Sequence, residues 1–185
     1  MKKLTYILLS LCLLVNFTSC DVDNYGEPEE TFRGAFIDKE TKEPFQTAIG
    51  NTGIRIRMME YSWSDTPEPY DFNCMQDGTF QNTKIFAGNY GIIPEGFVPL
   101  DEEIIDIKGT VEKTYEIEPL LRVKWVGEPQ VNADGTVEVK VIITRGTNNP
   151  DYQQPLTEAW LFVSETSYVG DFSFMSAFFT QLLGH

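Results

Sequence analysis

The chain has 185 residues, with 28 acidic side chains against 14 basic ones and a formal net charge of −14 at pH 7. This excess of negative charge repels phosphate backbones, so we expect no nucleic acid among the partners. The single histidine is His185, the last residue, which excludes histidine-based catalytic triads and zinc sites. We recognise no metal or cofactor motif and predict no cofactor.

The first nineteen residues have the pattern of a secretory signal peptide. Two lysines are followed by an apolar stretch over residues 4–17 and by two small polar residues before Cys20. A transmembrane helix is the alternative, but it needs about 20 apolar residues, and this stretch is shorter. We predict that residues 1–19 are removed, which deletes two lysines and no acid and changes the net charge from −14 to −16.

The residues around the predicted cleavage point resemble a bacterial lipoprotein signal. Phe17-Thr18-Ser19 before Cys20 is similar to a lipobox, whereas Cys12 follows Leu11, which is not small. The resemblance implies that Cys20 becomes the first residue and carries a diacylglycerol and an acyl chain. Each buried methylene contributes about 0.8 kcal/mol, so several chains anchor a protein durably. The implied location is the outer membrane, with lipid bound through Cys20 and the folded part exposed at the cell surface.

Residues 20–30 are predicted to be an acidic tether, with Asp21, Asp23, Glu27, Glu29 and Glu30. A solvated linker is one interpretation, because charge runs usually are solvated. A second is a surface-export signal, since acids directly after a lipidated cysteine resemble the tag of some gut-anaerobe lipoproteins. A calcium loop is excluded because Tyr25 and Phe32 occupy two ligand positions.

Residues 31–119 alternate between apolar and polar positions in short stretches separated by turn residues. The strand-like stretches are 31–37, 53–59, 70–74, 79–80, 85–93, 103–107 and 113–118. Short strands at spacings of about 8–12 residues favour an antiparallel β-sandwich. In this pattern Gly78 allows the positive φ of a tight turn, and a buried Tyr90 would need a hydroxyl partner such as a backbone carbonyl.

Four motifs in this part resemble the carboxypeptidase-regulatory-like module, which has a transthyretin-like seven-stranded sandwich. They are 34–38 (Gly-Ala-Phe-Ile-Asp), 42–44 (Lys-Glu-Pro), 77–80 (Asp-Gly-Thr-Phe) and 86–90 (Phe-Ala-Gly-Asn-Tyr). The usual Thr-Gly-x-Pro turn has lysine here in place of glycine. With the lipobox, the whole chain resembles surface lipoproteins of bacterial polysaccharide-utilisation operons. That resemblance implies glycan capture beside a starch-utilisation-type binding protein and its transporter.

Residues 120–185 predict a second, immunoglobulin-like or fibronectin-like β module. Strands are expected at 121–126, 136–144 and 158–163, with a turn at 132–135. Three strands do not close such a sandwich. Apolar pairs over residues 174–183 have the rhythm of a short amphipathic helix. Either that helix covers the open sheet, or the module is incomplete and leaves an apolar edge exposed. We expect the second alternative.

The best candidate for binding is a polar, proline-punctuated loop that contains Tyr61, Trp63 and Tyr70. Sugars present flat C–H faces that pack on aromatic rings, and these three residues are candidates for a glycan platform. The alternative is that the rings fold back onto the core. Tyr152, in a second polar loop, is a further glycan-binding candidate. Trp125 and Trp160 lie in predicted strands and are expected in the core.

We do not expect an enzyme. Cys74 has no histidine partner and is predicted to be buried, as free cysteines usually are. A glycoside hydrolase needs only two carboxylates about 5–10 Å apart, but no acid lies in a recognisable motif. The sequence therefore predicts a surface lipoprotein of a glycan-uptake system that binds polysaccharide or a transport component. The alternatives are a structural spacer at the outer membrane and a glycoside hydrolase.

Overall fold

The structure, a computed structural model, describes residues 26–178 and 180–183. The predicted signal peptide (1–19), the lipid-attachment residue Cys20 and the first part of the tether lie outside the described residues. The described part contains thirteen β-strands and three short 3₁₀ helices. Among these residues, no helix has the length and apolar character needed to span a membrane.

The first seven strands are β1 (Glu30–Asp38), β2 (Arg55–Glu60), β3 (Pro69–Asn73), β4 (Thr79–Ile85), β5 (Gly88–Glu95), β6 (Glu103–Ile107) and β7 (Thr110–Ile117). They form two sheets, with strand orders β4-β1-β7 and β3-β2-β5-β6. This confirms the predicted all-β, sandwich-type fold. One pair departs from the antiparallel expectation, because β1 runs parallel to β7, with Phe36 opposite Tyr115. Parallel strands need a long crossover, and the strands between β1 and β7 provide it.

The core lies between the two sheets and is largely aromatic. Alternation along β1 points Phe32 and Phe36 inward, and both are fully buried. The ring centroid of Phe80 on β4 lies 5.1 Å from that of Phe32 and 5.3 Å from that of Phe36. Burying a side chain of this size stabilises the fold by about 1.5–3 kcal/mol. Cys74 belongs to the same core, which confirms its predicted burial.

The sequence motifs lie at turns of the sandwich, where they set the backbone conformation or supply a hydrogen bond. Gly78 has a φ of +83°, as predicted for a tight turn. The Tyr90 hydroxyl donates a hydrogen bond of 3.0 Å to the Phe86 carbonyl, which confirms the predicted backbone partner. Lys42, at the position where the motif has glycine, has a φ of +62°. The turn therefore keeps the left-handed backbone conformation, although a lysine side chain disfavours it.

Six more strands follow: β8 (Leu121–Trp125), β9 (Gln130–Val131), β10 (Val137–Glu138), β11 (Val141–Arg145), β12 (Glu158–Leu161) and β13 (Thr180–Leu183). They make three two-stranded sheets, β8-β11, β9-β10 and β12-β13. The first two belong to one long hairpin over residues 121–145. The predicted strand 136–144 is thus present but interrupted. In the described residues these six strands form three separate two-stranded sheets and no closed sandwich.

The helix predicted within residues 174–183 is wrong. Ser176–Phe178 form a single 3₁₀ turn, and Thr180–Leu183 form β13, which pairs antiparallel with β12. The apolar pairs have helical spacing, but a neighbouring strand supplies the backbone hydrogen bonds. Such tertiary context overrides a short periodic pattern.

The prediction that Trp125 and Trp160 are core residues is also wrong, because they are 55% and 49% exposed. Each belongs to a two-stranded sheet, and such a sheet buries little on its own. Trp125 lies opposite Val141 and shares one face of the long hairpin with Val123, which is 61% exposed. A strand pattern predicts that one face is apolar, but it does not predict that another layer covers this face.

The second module is attached at the end of β1. Arg122 on β8 donates hydrogen bonds to both carboxylate oxygens of Asp38, from Nε at 2.5 Å and from Nη2 at 3.0 Å. Arg122 Nη1 also lies 2.9 Å from Glu40 Oε2. On the other side, the Thr147 hydroxyl donates to the Glu118 carboxylate. These contacts, which we call the junction, hold the two parts of the chain together.

Candidate functional site

The aromatic loop, which we define as residues 61–70, contains the connection between β2 and β3 and the first two residues of β3. It lies at the end of the sandwich remote from the junction. Trp63 in this loop is 70% exposed, and Tyr70, at the start of β3, is 52% exposed. Tyr61 is half-buried. The alternative in which all three rings fold into the core is therefore not what the structure shows. The loop presents aromatic surface to solvent.

The start of the loop is held in place by β5. The Asn89 backbone N–H donates to Ser62 Oγ at 2.9 Å, and the Tyr61 backbone N–H donates to the Asn89 carbonyl at 2.9 Å. The Tyr61 hydroxyl donates to Glu102 Oε1 at 2.9 Å. This hydrogen bond raises the pKa of Tyr61, because the carboxylate stabilises the protonated phenol. The Tyr61 ring lies over Gly91, where a Cβ would come within 2.8 Å of Tyr61 Cε2.

Tyr70 is supported from the inside of the sandwich. Its ring stacks on Phe72 with centroids 6.4 Å apart, and Phe72 in turn meets the core ring of Phe80 at 6.1 Å. The Tyr70 hydroxyl accepts a hydrogen bond of 3.0 Å from Asn82 Nδ2 on β4. Because β3 and β4 are edge strands of the two sheets, Tyr70 closes one open side of the sandwich.

The three aromatic residues do not form one flat platform. Tyr70 lies opposite the buried Met58 and therefore faces the inside of the sandwich. Tyr61 covers Gly91 on the outer face of the same sheet. Trp63 lies between them in sequence, in the part of the loop most exposed to solvent. Tyr61 and Tyr70 thus lie on opposite faces of this end of the sheet.

Tyr152 lies apart from the aromatic loop, in the second module. It ends the 3₁₀ helix Pro150–Tyr152, whose first turn is capped by Asn149, and it is half-buried. The Gln153 side chain donates to the carbonyl of Thr147, the junction residue, at 2.7 Å. The structure therefore places Tyr152 near the junction end of the molecule and does not bring it to the aromatic loop.

An ion-pair network lies on the outer face of the sheet beside Tyr61. Arg57 donates to the two oxygens of Asp71 at 3.0 and 3.1 Å, which lowers the pKa of Asp71. Arg55 lies 3.5 Å from Asp71 and also pairs with Glu95. The sequence signal was the alternation of arginines along β2, which placed both on one face. Since the charges are paired, this face offers hydrogen-bonding groups without a large local net charge.

The structure also shows a cleft that the sequence did not predict. It has a volume of about 440 Å³ and lies between the sandwich and the second module. The sandwich contributes Thr52 and Gln76, and the second module contributes Trp160 and Asp171. We call it the Trp160 cleft. It escaped prediction because Trp160 was assigned to the core.

The described residues show no sign of metal or thiol chemistry. Across 26–178 and 180–183, no group of three or more histidine, cysteine, aspartate or glutamate side chains is placed to hold a metal ion. Cys74 is 3% exposed, and burial raises its pKa to about 12. A thiol with this pKa remains protonated at neutral pH and is a poor nucleophile.

The chain is similar to one protein family and to several solved structures. Residues 30–118 match the family model described as "Protein of unknown function (DUF3823) N-terminal domain". No functionally curated protein matches the chain. Two solved structures share its fold at low identity. A "putative carbohydrate binding protein" from Bacteroides uniformis has 20% identity and a TM-score of 0.63, covering 85% of this chain and 80% of its own. A DUF3823 family protein from Bacteroides ovatus has 12% identity and a TM-score of 0.64, covering 84% and 74%.

A third solved structure is similar in sequence as well as in fold. It is a DUF3823 family protein from Bacteroides uniformis, with 31% identity and a TM-score of 0.75. The match covers 84% of this chain and 75% of that one, so it extends beyond the sandwich into the second module. The chain therefore belongs to the DUF3823 family.

Proposed function

We propose that this protein is a lipid-anchored accessory protein of a glycan-uptake system and that it binds polysaccharide through the aromatic loop. Residues 1–19 are removed in this proposal, and Cys20 carries the lipid that holds the protein on the outer membrane. The folded part faces the outside of the cell. Its partners are the polysaccharide and, beside it, a starch-utilisation-type binding protein with its transporter.

The observation that carries the binding proposal is the exposure of Trp63 on an anchored loop. Because the Trp63 indole is 70% exposed, most of its apolar surface remains in water. A ligand that covers this surface would gain the free energy of its burial. Hydrogen bonds from Asn89 to Ser62 and from Tyr61 to Glu102 fix the start of the loop. A loop fixed in advance loses little conformational entropy when it binds.

The chemistry around Trp63 fits a sugar. The C–H faces of a pyranose pack on aromatic rings, and its hydroxyls need donors and acceptors. Tyr61 and Tyr70 flank Trp63 in the sequence, and the paired Arg57 and Asp71 lie on the outer face of the sheet that carries Tyr61. The fold also supports this ligand class, because a structure with the same fold is described as a "putative carbohydrate binding protein".

The proposal is for binding without catalysis. The reasons are the absence of a recognisable catalytic motif and the protonated, buried state of Cys74. A structural spacer is the second candidate. It is favoured by the junction, where Arg122 holds Asp38 through two hydrogen bonds and joins the two modules. A spacer needs this rigidity but does not need Trp63.

Affinity gel electrophoresis distinguishes the two candidates. The purified protein is run through gels that each contain one plant, algal or host polysaccharide. We expect retardation by at least one polysaccharide and loss of that retardation in Trp63→Ala. Trp125→Ala is the matched control, because Trp125 is also exposed but lies in the second module. Unchanged mobility of the wild-type protein in every gel would favour the spacer.

A further inference from the structure

The Trp160 cleft has features that the proposed function does not use. Its walls come from both modules, with Thr52 and Gln76 on one side and Trp160 and Asp171 on the other. Its volume of about 440 Å³ lies within the range of small-molecule sites, which is about 300–1,000 Å³. Most of its surface is apolar, and a few polar side chains reach it.

The indole of Trp160 is held in position. Its Nε1–H donates to Glu158 Oε2 at 3.0 Å, and the Phe162 ring meets it edge-on with centroids 5.9 Å apart. Phe162 is in turn packed against Phe174 at 5.0 Å. The indole nevertheless remains 49% exposed. A ring fixed at its edge with part of its surface in solvent suits stacking against a ligand.

The polar residues of the cleft lie on well-defined backbone. The Gln76 carbonyl accepts a hydrogen bond of 3.1 Å from the Thr47 N–H, which fixes the segment before β4. Asp171 lies within a tight turn in which Gly170 and Ser173 exchange two backbone hydrogen bonds of 3.1 Å. An amide, a carboxylate and the hydroxyl of Thr52 together supply both donors and acceptors.

We propose that the Trp160 cleft is a second carbohydrate-binding site, which stacks one sugar ring on Trp160 and hydrogen-bonds its hydroxyls to Gln76, Thr52 and Asp171. The inference rests on the proposed function for its ligand class. The cleft and the aromatic loop lie beyond opposite ends of β2. Six residues at about 3.3 Å each separate them by roughly 20 Å. The two sites are therefore distinct, and binding at both raises the overall affinity for a polymer.

The test compares Trp160→Ala, Trp63→Ala and the double variant by affinity electrophoresis in the polysaccharide that retards the wild-type protein. We expect each single variant to weaken binding by about tenfold and the double variant to lose it. Because Trp160→Ala removes packing from β12, Gln76→Ala serves as a second variant. It should weaken binding by roughly threefold through one lost hydrogen bond.

The failures of the two proposals are distinguishable. If Trp63→Ala weakens binding while Trp160→Ala and Gln76→Ala bind as the wild type does, the second site is wrong and the aromatic loop stands. If only the cleft variants lose binding, the cleft is confirmed and the aromatic loop is wrong. If no polysaccharide retards the wild-type protein, both proposals fail.

A fluorescence titration locates the ligand directly. In the full chain with Trp63→Phe and Trp125→Phe, Trp160 is the only tryptophan, since the sequence has three. Oligosaccharides cut from the retarding polysaccharide should change its emission in a saturable way, and Asp171→Asn should weaken that response. An emission unchanged up to millimolar oligosaccharide would overturn the second site.

Discussion

Arg122 on β8 reaches across to Asp38 at the end of β1 and donates to both of its carboxylate oxygens, at 2.5 and 3.0 Å. The Asp38 side chain is 7% exposed and that of Arg122 is 23% exposed. Asp38 also accepts hydrogen bonds from the backbone N–H groups of Glu40 and Thr41, at 2.8 and 3.1 Å. One carboxylate therefore shapes the turn after β1 and holds the second module.

Removing either partner of this pair should destabilise the protein. Asp38→Ala leaves a largely buried guanidinium with only the exposed Glu40 as an anionic partner. We expect a loss of about 2–4 kcal/mol in the free energy of unfolding. Arg122→Ala should lose a similar amount. The two losses should not add in the double variant, because both remove the same interaction. Urea denaturation of the three variants measures this, and fully additive losses would show that the pair is not coupled.

The same pair predicts a pH dependence. The hydrogen bond from Arg122 is the main cause that lowers the pKa of Asp38, and burial opposes it. A carboxyl whose pKa is lower in the folded state stabilises the fold above its unfolded pKa of about 3.9 and loses this contribution as pH falls through the folded value. The stability difference between wild type and Asp38→Asn should therefore shrink between pH 6 and pH 3. A difference that stays constant over this range would contradict the lowered pKa.

Lys42 provides a test of backbone strain. With φ at +62°, a residue with a Cβ is disfavoured, whereas glycine is not. Lys42→Gly should thus be more stable than Lys42→Ala by about 1 kcal/mol, measured by thermal or urea denaturation. Both variants lose the exposed ion pair with Glu116, so this loss cancels in the comparison. Equal stabilities would mean that the turn relaxes when the side chain is shortened.

Gly34 is required by the close approach of β1 and β7. A Cβ on Gly34 would lie 1.8 Å from the Lys113 carbonyl oxygen and 2.7 Å from Phe80 Cζ. Gly34→Ala should cost about 3 kcal/mol or more, because a backbone atom cannot move aside. Gly26→Ala is the control, since a Cβ there meets no atom within 4 Å. It should change stability by less than about 0.5 kcal/mol. Similar melting temperatures for the two variants would contradict the tight pairing.

Cys74 should be unreactive in the folded protein. Its thiol is buried, its pKa is raised to about 12, and its Sγ lies 3.1 Å from the Thr79 carbonyl. Iodoacetamide at pH 8 should leave it unmodified for hours and modify it within minutes in 6–8 M urea, as mass spectrometry can follow. Rapid modification of the native protein would show that this part of the core opens. If Cys20 is lipidated, as proposed, Cys74 is the single thiol of the mature chain.

The sandwich could be predicted because its signals are local and agree with one another. Residues 31–37 have a strand-like pattern, Gly78 marks a turn, and Tyr90 needs a nearby backbone partner for its hydroxyl. The strand, the turn and the hydrogen bond are all present in the structure. The parallel pairing of β1 with β7 was missed, because it depends on which distant strands meet, and alternation alone carries no information on this.

The second module was harder to predict because its strands have few neighbours. Trp125 and Trp160 occur in strand patterns like those of core residues, yet both are about half exposed. The Trp160 cleft depends on the approach of residues 160–171 to Thr52 and Gln76, which are about 100 positions away in the sequence. The sequence also did not decide whether Trp63 is exposed, because a proline-rich loop can present its rings to solvent or bury them.

Isothermal titration calorimetry with the retarding polysaccharide tests the central claim, that the aromatic loop binds glycan, most directly. The wild-type protein, Trp63→Ala and the control Trp125→Ala are titrated under the same conditions. We predict saturable heat for the wild type and the control, and a Kd at least about tenfold weaker for Trp63→Ala. Equal Kd values for the wild type and Trp63→Ala would contradict the claim.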